Sequence, residues 1–328
     1  MKHSVKSFAA AAFALMASVP ALAQPSPQAA NLPKGPLKLV VPFAPGGGVD
    51  TAARLLAKQL QTNTGITVIV ENKAGGSGTI GGLAVKSATA DGQTLLFSAS
   101  THVLAKEVLA KAPYDPVTDF MPVARVAEAP LLMVIAPNLP QRKLQEVMDA
   151  SRHQPDKWTA ALPAFGSASH VGTLMLAKQG NVRLTMVTYR GTAPALSDVA
   201  GGHTQILVDS IVSLLPMAKD GKVRPIVTTS ARRSAIAPDI PTASESGFPG
   251  LVYSSWYGVW APNGTPEKTT TALNQAINTA MNDLNRAGSL NPIGLEPVTE
   301  SIPQFRRFIE SDVQHSAELL RASGFKPE

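Results

Sequence analysis

Two glycine-rich stretches carry the residues best placed to do chemistry. They are Pro45-Gly46-Gly47-Gly48-Val49-Asp50 and Gly75-Gly76-Ser77-Gly78-Thr79. Glycine lets the main chain take positive φ and lets a ligand come close to the backbone. A helix start behind each loop offers unpaired N–H groups and the positive end of a dipole. Phe43, Ala44, Gly46, Gly47, Gly48 and Asp50, set beside Gly75 to Thr79, therefore form a candidate anion cradle. A second set lies further along: Ser167, Ser169 and His170, the loop Tyr189-Arg190-Gly191-Thr192, and Asp209, with Ser100 at the end of an earlier apolar run. Its hydroxyls, imidazole, guanidinium and carboxylate are of the types that choose between anions.

Each of these residues also has a plainer role open to it. Asp50 follows the glycines where a helix cap stands, Ser167 and Ser169 sit at a helix start, and His170 suits a structural hydrogen bond. Asp209 accepts from a ligand hydroxyl or amine, or ties loops together; Arg190 meets a second carboxylate or solvent. Gly46 to Asp50 lacks the Gly-Lys-Ser/Thr of a phosphate-binding loop. Gly76-Ser77-Gly78-Thr79-Ile80-Gly81 matches the Gly-x-Gly-x-x-Gly string without the rest of a dinucleotide site. Ser167 or Ser169 with His170 suggests an exported serine hydrolase, but the Gly-x-Ser-x-Gly elbow is absent and no acid is marked as partner. The six histidines show no metal-ligand spacing. No catalytic residue, metal or cofactor is expected.

The elements that must position these residues repeat one unit, strand then loop then helix. Leu39–Phe43 precedes the first glycine loop and a helix from Asp50; Ile66–Val70 precedes the second and a helix from Thr79. Thr94–Phe97 and a helix over 102–110 form the third unit. Prolines between 113 and 140 read as a crossover, with a strand over 131–136. Three further units follow from Trp158, Leu184 and Ile206; Val223–Thr228 crosses back; strand 252–261 and a helix from Pro303 to Ala322 complete the chain. This predicts an α/β fold of two mostly parallel sheets flanked by helices, with domain 1 over 35–125 and 226–328 and domain 2 over 126–225. Ligands of such sheets bind outside the carboxyl ends of the strands, here in a cleft between the domains that closes about two crossings.

Composition limits the setting. Residues 1–23 carry Lys2 and Lys6, an apolar run and Ala21-Leu22-Ala23, the three parts of a signal peptide, with cleavage expected after Ala23. A leader rich in proline, alanine and glutamine, 24–34, is expected to be mobile. Cysteine is absent, which excludes disulfides, thiol chemistry and a lipid anchor at the junction. Lys and Arg total 29 against 23 Asp and Glu, and no basic block suggests nucleic-acid binding. The periplasm is the expected compartment.

Seven stretches resemble one family in its own order: VPFAPGGGVDTAARLLA, VIVENKAGGSGTIGG, DGQTLLFSASTH, FGSASHVGTLMLA, TYRGTAPALSDVAGGHTQILVDS, DIPTASESGFPG and SSWYGVWAPNGTP. The chain is similar to the substrate-binding proteins of tripartite tricarboxylate transporters, the TctC/Bug receptors. The resemblance implies a type II "Venus flytrap" fold and a small organic carboxylate held between the first two loops, largely by main-chain N–H groups and waters. It implies that Ser167, Ser169, His170, Tyr189–Thr192 and Asp209 set selectivity. The partners it implies are a membrane transporter or, in a variant, a membrane sensor to which ligand is presented; the receptor itself is expected to be monomeric. The family's second loop usually reads Asn-Arg-Pro-Gly-Ala-Gly-Gly-Asn-Ile-Gly; here Lys73, Ala74, Gly76, Ser77 and Thr79 depart from it. Arg190 stands where lysine is common, and a planar fork of donors differs from a point charge.

Overall fold

The apolar run Leu37–Val41 (β1) sits at the centre of a parallel trio. It pairs with Val68–Asn72 (β2) on one side and Thr94–Ala99 (β3) on the other. Each strand feeds a helix: Gly48–Thr64 (α1) after β1 and Thr79–Lys86 (α2) after β2. The helix expected over 102–110 is two short pieces, Ser100–Val103 (α3) and Ala105–Val108 (α4), broken at Leu104. The computed structural model describes residues 31–328, so the expected signal peptide and residues 24–30 of the leader lie outside them. The leader's last residues are held in place: Pro33 is buried and Leu32 packs on the main core, as their apolar side chains favour.

The proline-rich crossover is a single strand, Phe120–Ile135 (β4). Its first two-thirds pairs antiparallel with Ser254–Pro262 (β9), which joins it to β3. Its last residues pair with Ile206–Ser210 (β7) and Arg224–Thr228 (β8). Proline has no N–H for a ladder. The strand accommodates Pro122 where its register with β9 shifts, with a second shift between Arg125 and Ala127. The expected boundaries at 125/126 and 225/226 fall inside β4 and β8, and the return passage follows β8, over 229–253.

In the second half β7 and Thr185–Thr188 (β6) flank Thr159–Leu162 (β5), all parallel. The helices there are Leu144–His153 (α5), Ala168–Gly180 (α6), Thr192–Ala200 (α7) and Ile211–Lys219 (α8). Sequence periodicity did not single out α5. Glu267–Arg286 (α9), the short strand Glu296–Pro297 (β10) on β4, and Ile302–Ala322 (α10) complete the chain. One core runs from β1 and α1 through β4 to β7 and α8. Helical spacing predicts a packing stripe of Phe305, Phe308, Ile309, Val313 and Leu320 on α10; Phe305, Ile309 and Leu320 are buried, while Phe308 and Val313 are half-buried at the core's edge.

Candidate functional site

Three helices from the two halves begin at one small cavity. Gly47, Val49 and Asp50 bring the start of α1, Ser167 and Ala168 that of α6, and Thr192 that of α7. In α1 the first helical bond runs from the Thr51 N–H to the Gly47 carbonyl at 2.9 Å, so the amides of Gly48, Val49 and Asp50 have no partner further back in the helix. The cavity measures about 30 Å³, room for one or two waters. Phe43, Ala99 and Pro163 make its apolar wall; Thr101, Ser255 and Asp209 add polar groups. Three positive helix ends in so small a space favour an anion.

Asp50 builds the first loop. Its carboxylate accepts from the Gly46 amide at 3.0 Å, Asn72 Nδ2 at 2.9 Å and Arg54 Nε at 3.0 Å. Asn72 Nδ2 also donates to the Phe43 carbonyl at 3.0 Å, which ties β2 to the loop. Burial alone would raise the Asp50 carboxyl, but the bonds from Arg54, Gly46 and Asn72 outweigh it and hold it below the usual carboxylate range. Gly48 is required by close packing: a Cβ there would lie 2.6 Å from the Tyr257 hydroxyl, which donates to Ser210 Oγ.

The second half meets this loop main chain to main chain. The Ala44 N–H donates to the Arg190 carbonyl at 2.8 Å. Gly191, at φ 135°, comes so close that a Cβ would lie 3.0 Å from the Ala44 nitrogen. Thr192 Oγ1 donates to Asp209 Oδ2 at 2.6 Å, and a Cβ on Gly47 would lie 3.2 Å from that hydroxyl. Asp209 is 6% exposed, on β7 rather than on a loop. Burial pushes its carboxyl up to about 6, against the opposing pull of Thr192 and the Ser210 amide.

The second glycine loop lies outside the small cavity. Gly75, Gly76, Ser77, Gly78 and Thr79 line an open groove of about 670 Å³ with Tyr189, Arg190 and Phe165. Phe43 and Pro163 border both spaces. Ser77 Oγ accepts from the Phe165 amide at 3.3 Å, and Ser100 Oγ donates to the Gly166 carbonyl at 3.2 Å; both bonds join the halves. Tyr189 points its hydroxyl at Asp198 Oδ2, 2.6 Å away.

The serines and His170 do not form a hydrolytic pair. Ser167 Oγ donates to the Ala164 carbonyl at 2.7 Å and accepts from the His170 main-chain amide at 3.2 Å, which makes it the cap of α6. Ser169 is fully buried and its hydroxyl has no hydrogen-bond partner among the described residues. The His170 ring accepts at Nδ1 from the Gly166 amide at 3.2 Å, which places its proton on Nε2, and its centroid lies 4.7 Å from that of Phe325. Burial lowers its pKa to about 4, so it is neutral at pH 7. Among the described residues no cluster of His, Cys, Asp and Glu could hold a metal.

Sequence reasoning did not single out Thr101, Pro163 or Ser255 as cavity residues, nor Arg54 and Asn72 as the partners of Asp50. Thr101 stands two residues past the end of β3, in the first turn of α3, so the strand-end rule pointed to its neighbourhood. Ser255 stands near the start of β9, which reaches the carboxyl end of β3 only because that pair is antiparallel. No sequence signal sets that direction.

Comparison with known proteins decides the family. The family model described as "Tripartite tricarboxylate transporter family receptor", TctC, matches residues 52–325. The chain belongs to this family. Protein BugT of Bordetella pertussis is 34% identical to this TctC-family chain over 296 residues, 90% of this chain and 91% of BugT. Rpa4515 of R. palustris, solved with adipate, is 31% identical with a TM-score of 0.87, covering 90% of this chain and 99% of that one. MatC of Rhodopseudomonas palustris, solved with bound malate, is 31% identical with a TM-score of 0.83, covering 88% and 100%. Other solved periplasmic binding proteins share the fold. The TctC receptors are periplasmic solute-binding proteins rather than enzymes, and this chain has their two-part α/β architecture.

Proposed function

We propose that this receptor captures a small organic carboxylate between its two halves and delivers it to a tripartite tricarboxylate-type transporter in the membrane. The observation that carries the reading is the convergence of the α1, α6 and α7 starts on one cavity. Free amides and dipole ends suit a carboxylate without a cationic side chain to grip it. In this reading the ligand's carboxylate sits at these helix ends. The rest of the molecule runs past Phe43 toward Ser77, Thr79 and Arg190 in the outer groove, whose volume of about 670 Å³ is ample for it. Parting of the halves admits the ligand, and their closure buries it. A transporter that tells the closed form from the open one receives only loaded receptor.

In this reading the chain is exported by residues 1–23, works in the periplasm as a monomer and leaves its ligand chemically unchanged. The test is a thermal-shift and calorimetric screen of the purified receptor against mono-, di- and tricarboxylates, adipate and malate included. A saturable rise in Tm is expected, with the acid recovered intact by mass spectrometry. Turnover of the acid, or no shift with any of them, overturns the proposal.

A further inference from the structure

Asp209 opposes the charge preference of the cavity it lines. Helix starts favour an anion there, yet Asp209 places a carboxylate in the same space, 6% exposed and, among the described residues, with no cation beside it. Its one side-chain partner is the Thr192 hydroxyl at 2.6 Å. Asp50, the other acid of the cavity, is already engaged by Arg54, Asn72 and the Gly46 amide. A buried carboxylate met by one hydroxyl and the Ser210 amide, with acceptor sites to spare, is costly to keep ionised, and burial pushes Asp209 up to about 6. A plain carboxylate ligand would add a like charge to that cost. A ligand bearing its own hydrogen-bond donor would relieve it.

We infer that Asp209 is a specificity residue which selects carboxylic acids bearing a hydroxyl or ammonium donor near the bound carboxylate, over the unsubstituted acids. This deepens the carboxylate-receptor reading above and rests on it. The position of Asp209 supports the role. It belongs to β7, which is paired to β4 with Leu132 opposite Asp209, so the acceptor is fixed by a sheet rather than carried on a loop. Thr101 and Ser255 face the same cavity from the first half and would meet the remaining lone pairs and protons of such a group. Discrimination of this kind is large, because a missing donor leaves a buried acceptor unpaired.

A structural role, in which Asp209 merely anchors the start of α7 through Thr192, predicts otherwise and is separable. Asp209→Asn keeps a carbonyl for Thr192 while removing the charge. The experiment is calorimetry at pH 7.5 with matched sets: succinate, malate and aspartate; butyrate, 3-hydroxybutyrate and 3-aminobutyrate; benzoate and 2-hydroxybenzoate. In at least one set the wild type is expected to bind a donor-bearing acid about ten-fold or more tighter than the plain one. In Asp209→Asn that ratio is expected to collapse to about three-fold or less, with the plain acid bound as well as before or better. A wild type that prefers the plain acids overturns the inference without any variant, and so does a ratio unchanged in Asp209→Asn. If no acid of either kind binds, the carboxylate reading itself fails and this inference with it; if acids bind with no regard to the donor, only this inference fails.

Discussion

The Ala44 amide and the Arg190 carbonyl, 2.8 Å apart, join the two halves of the receptor through main chain alone. No side chain is needed for this contact, and no charge. Whatever holds the jaws together at the first loop is therefore backbone geometry, and geometry at Gly191 in particular.

Gly191→Ala follows from that contact. The new Cβ would lie 3.0 Å from the Ala44 nitrogen and 3.3 Å from Phe43 Cβ, at a φ of 135° that L-residues rarely adopt. The strain is on the order of 1–3 kcal/mol, and the part that comes from Ala44 and Phe43 arises only where the two halves meet. The expected outcome is ligand affinity weakened about ten-fold or more, mainly through faster release. Calorimetry with stopped-flow dissociation checks it, using the acid found in the screen. Unchanged affinity would show that the jaws close without this contact.

Asp50→Ala is expected to weaken both fold and binding. It strips the Gly46 amide and Asn72 of a partly buried acceptor, at a cost of about 2 kcal/mol; half-exposed Arg54 adds little. The bonds hold the Asp50 pKa below its unfolded value, so the stabilisation is present above that unfolded value. It is lost as pH falls through the lower, folded one. Urea unfolding should show the gap between wild type and variant at pH 7 and a much smaller gap near pH 3.

His102 gives a third expectation. Its ring is buried among Tyr114, Phe120 and Trp260, and burial lowers its pKa to about 3. A lowered folded pKa means stability that is complete above the unfolded value, about 6.5, and that drains away as pH falls toward 3. Asp209 works in the opposite sense, since a raised carboxyl is relieved as pH falls through about 6. The comparison with His102→Phe isolates the imidazole. Relative to wild type, the variant should gain about 1.4 kcal/mol per pH unit between pH 6.5 and 4 in urea midpoints at fixed m. Parallel profiles would show that His102 titrates freely.

The repeated strand, glycine loop and helix made the parallel parts of both sheets legible, because local periodicity and glycine punctuation carry that information. The antiparallel strands were harder. Residues 120–130 hold Pro122 and Pro130, which locally argue against a strand, and chiefly the long partner β9 offsets them. The same blindness hid Ser255. The glycine loops pointed to the region of the site but not to its division: Gly47 belongs to the inner cavity and Gly75 to the outer groove, with Phe43 between them. That division depends on how two halves distant in sequence meet, which no local pattern encodes.

The sixteen residues of β4 have a mechanical meaning. A receptor whose halves are joined by loose linkers opens like a door. Here an unbroken strand lies in both sheets, so opening has to flex a leaf spring clamped at each end by its neighbours. The compliant points are the register shifts at Pro122 to Ala127 and at Met133–Val134. Such a spring returns toward one rest position. In the receptor cycle proposed above, the ligand would work against this spring rather than capture a swinging lobe, and the range of opening would be limited by how far a paired strand can twist.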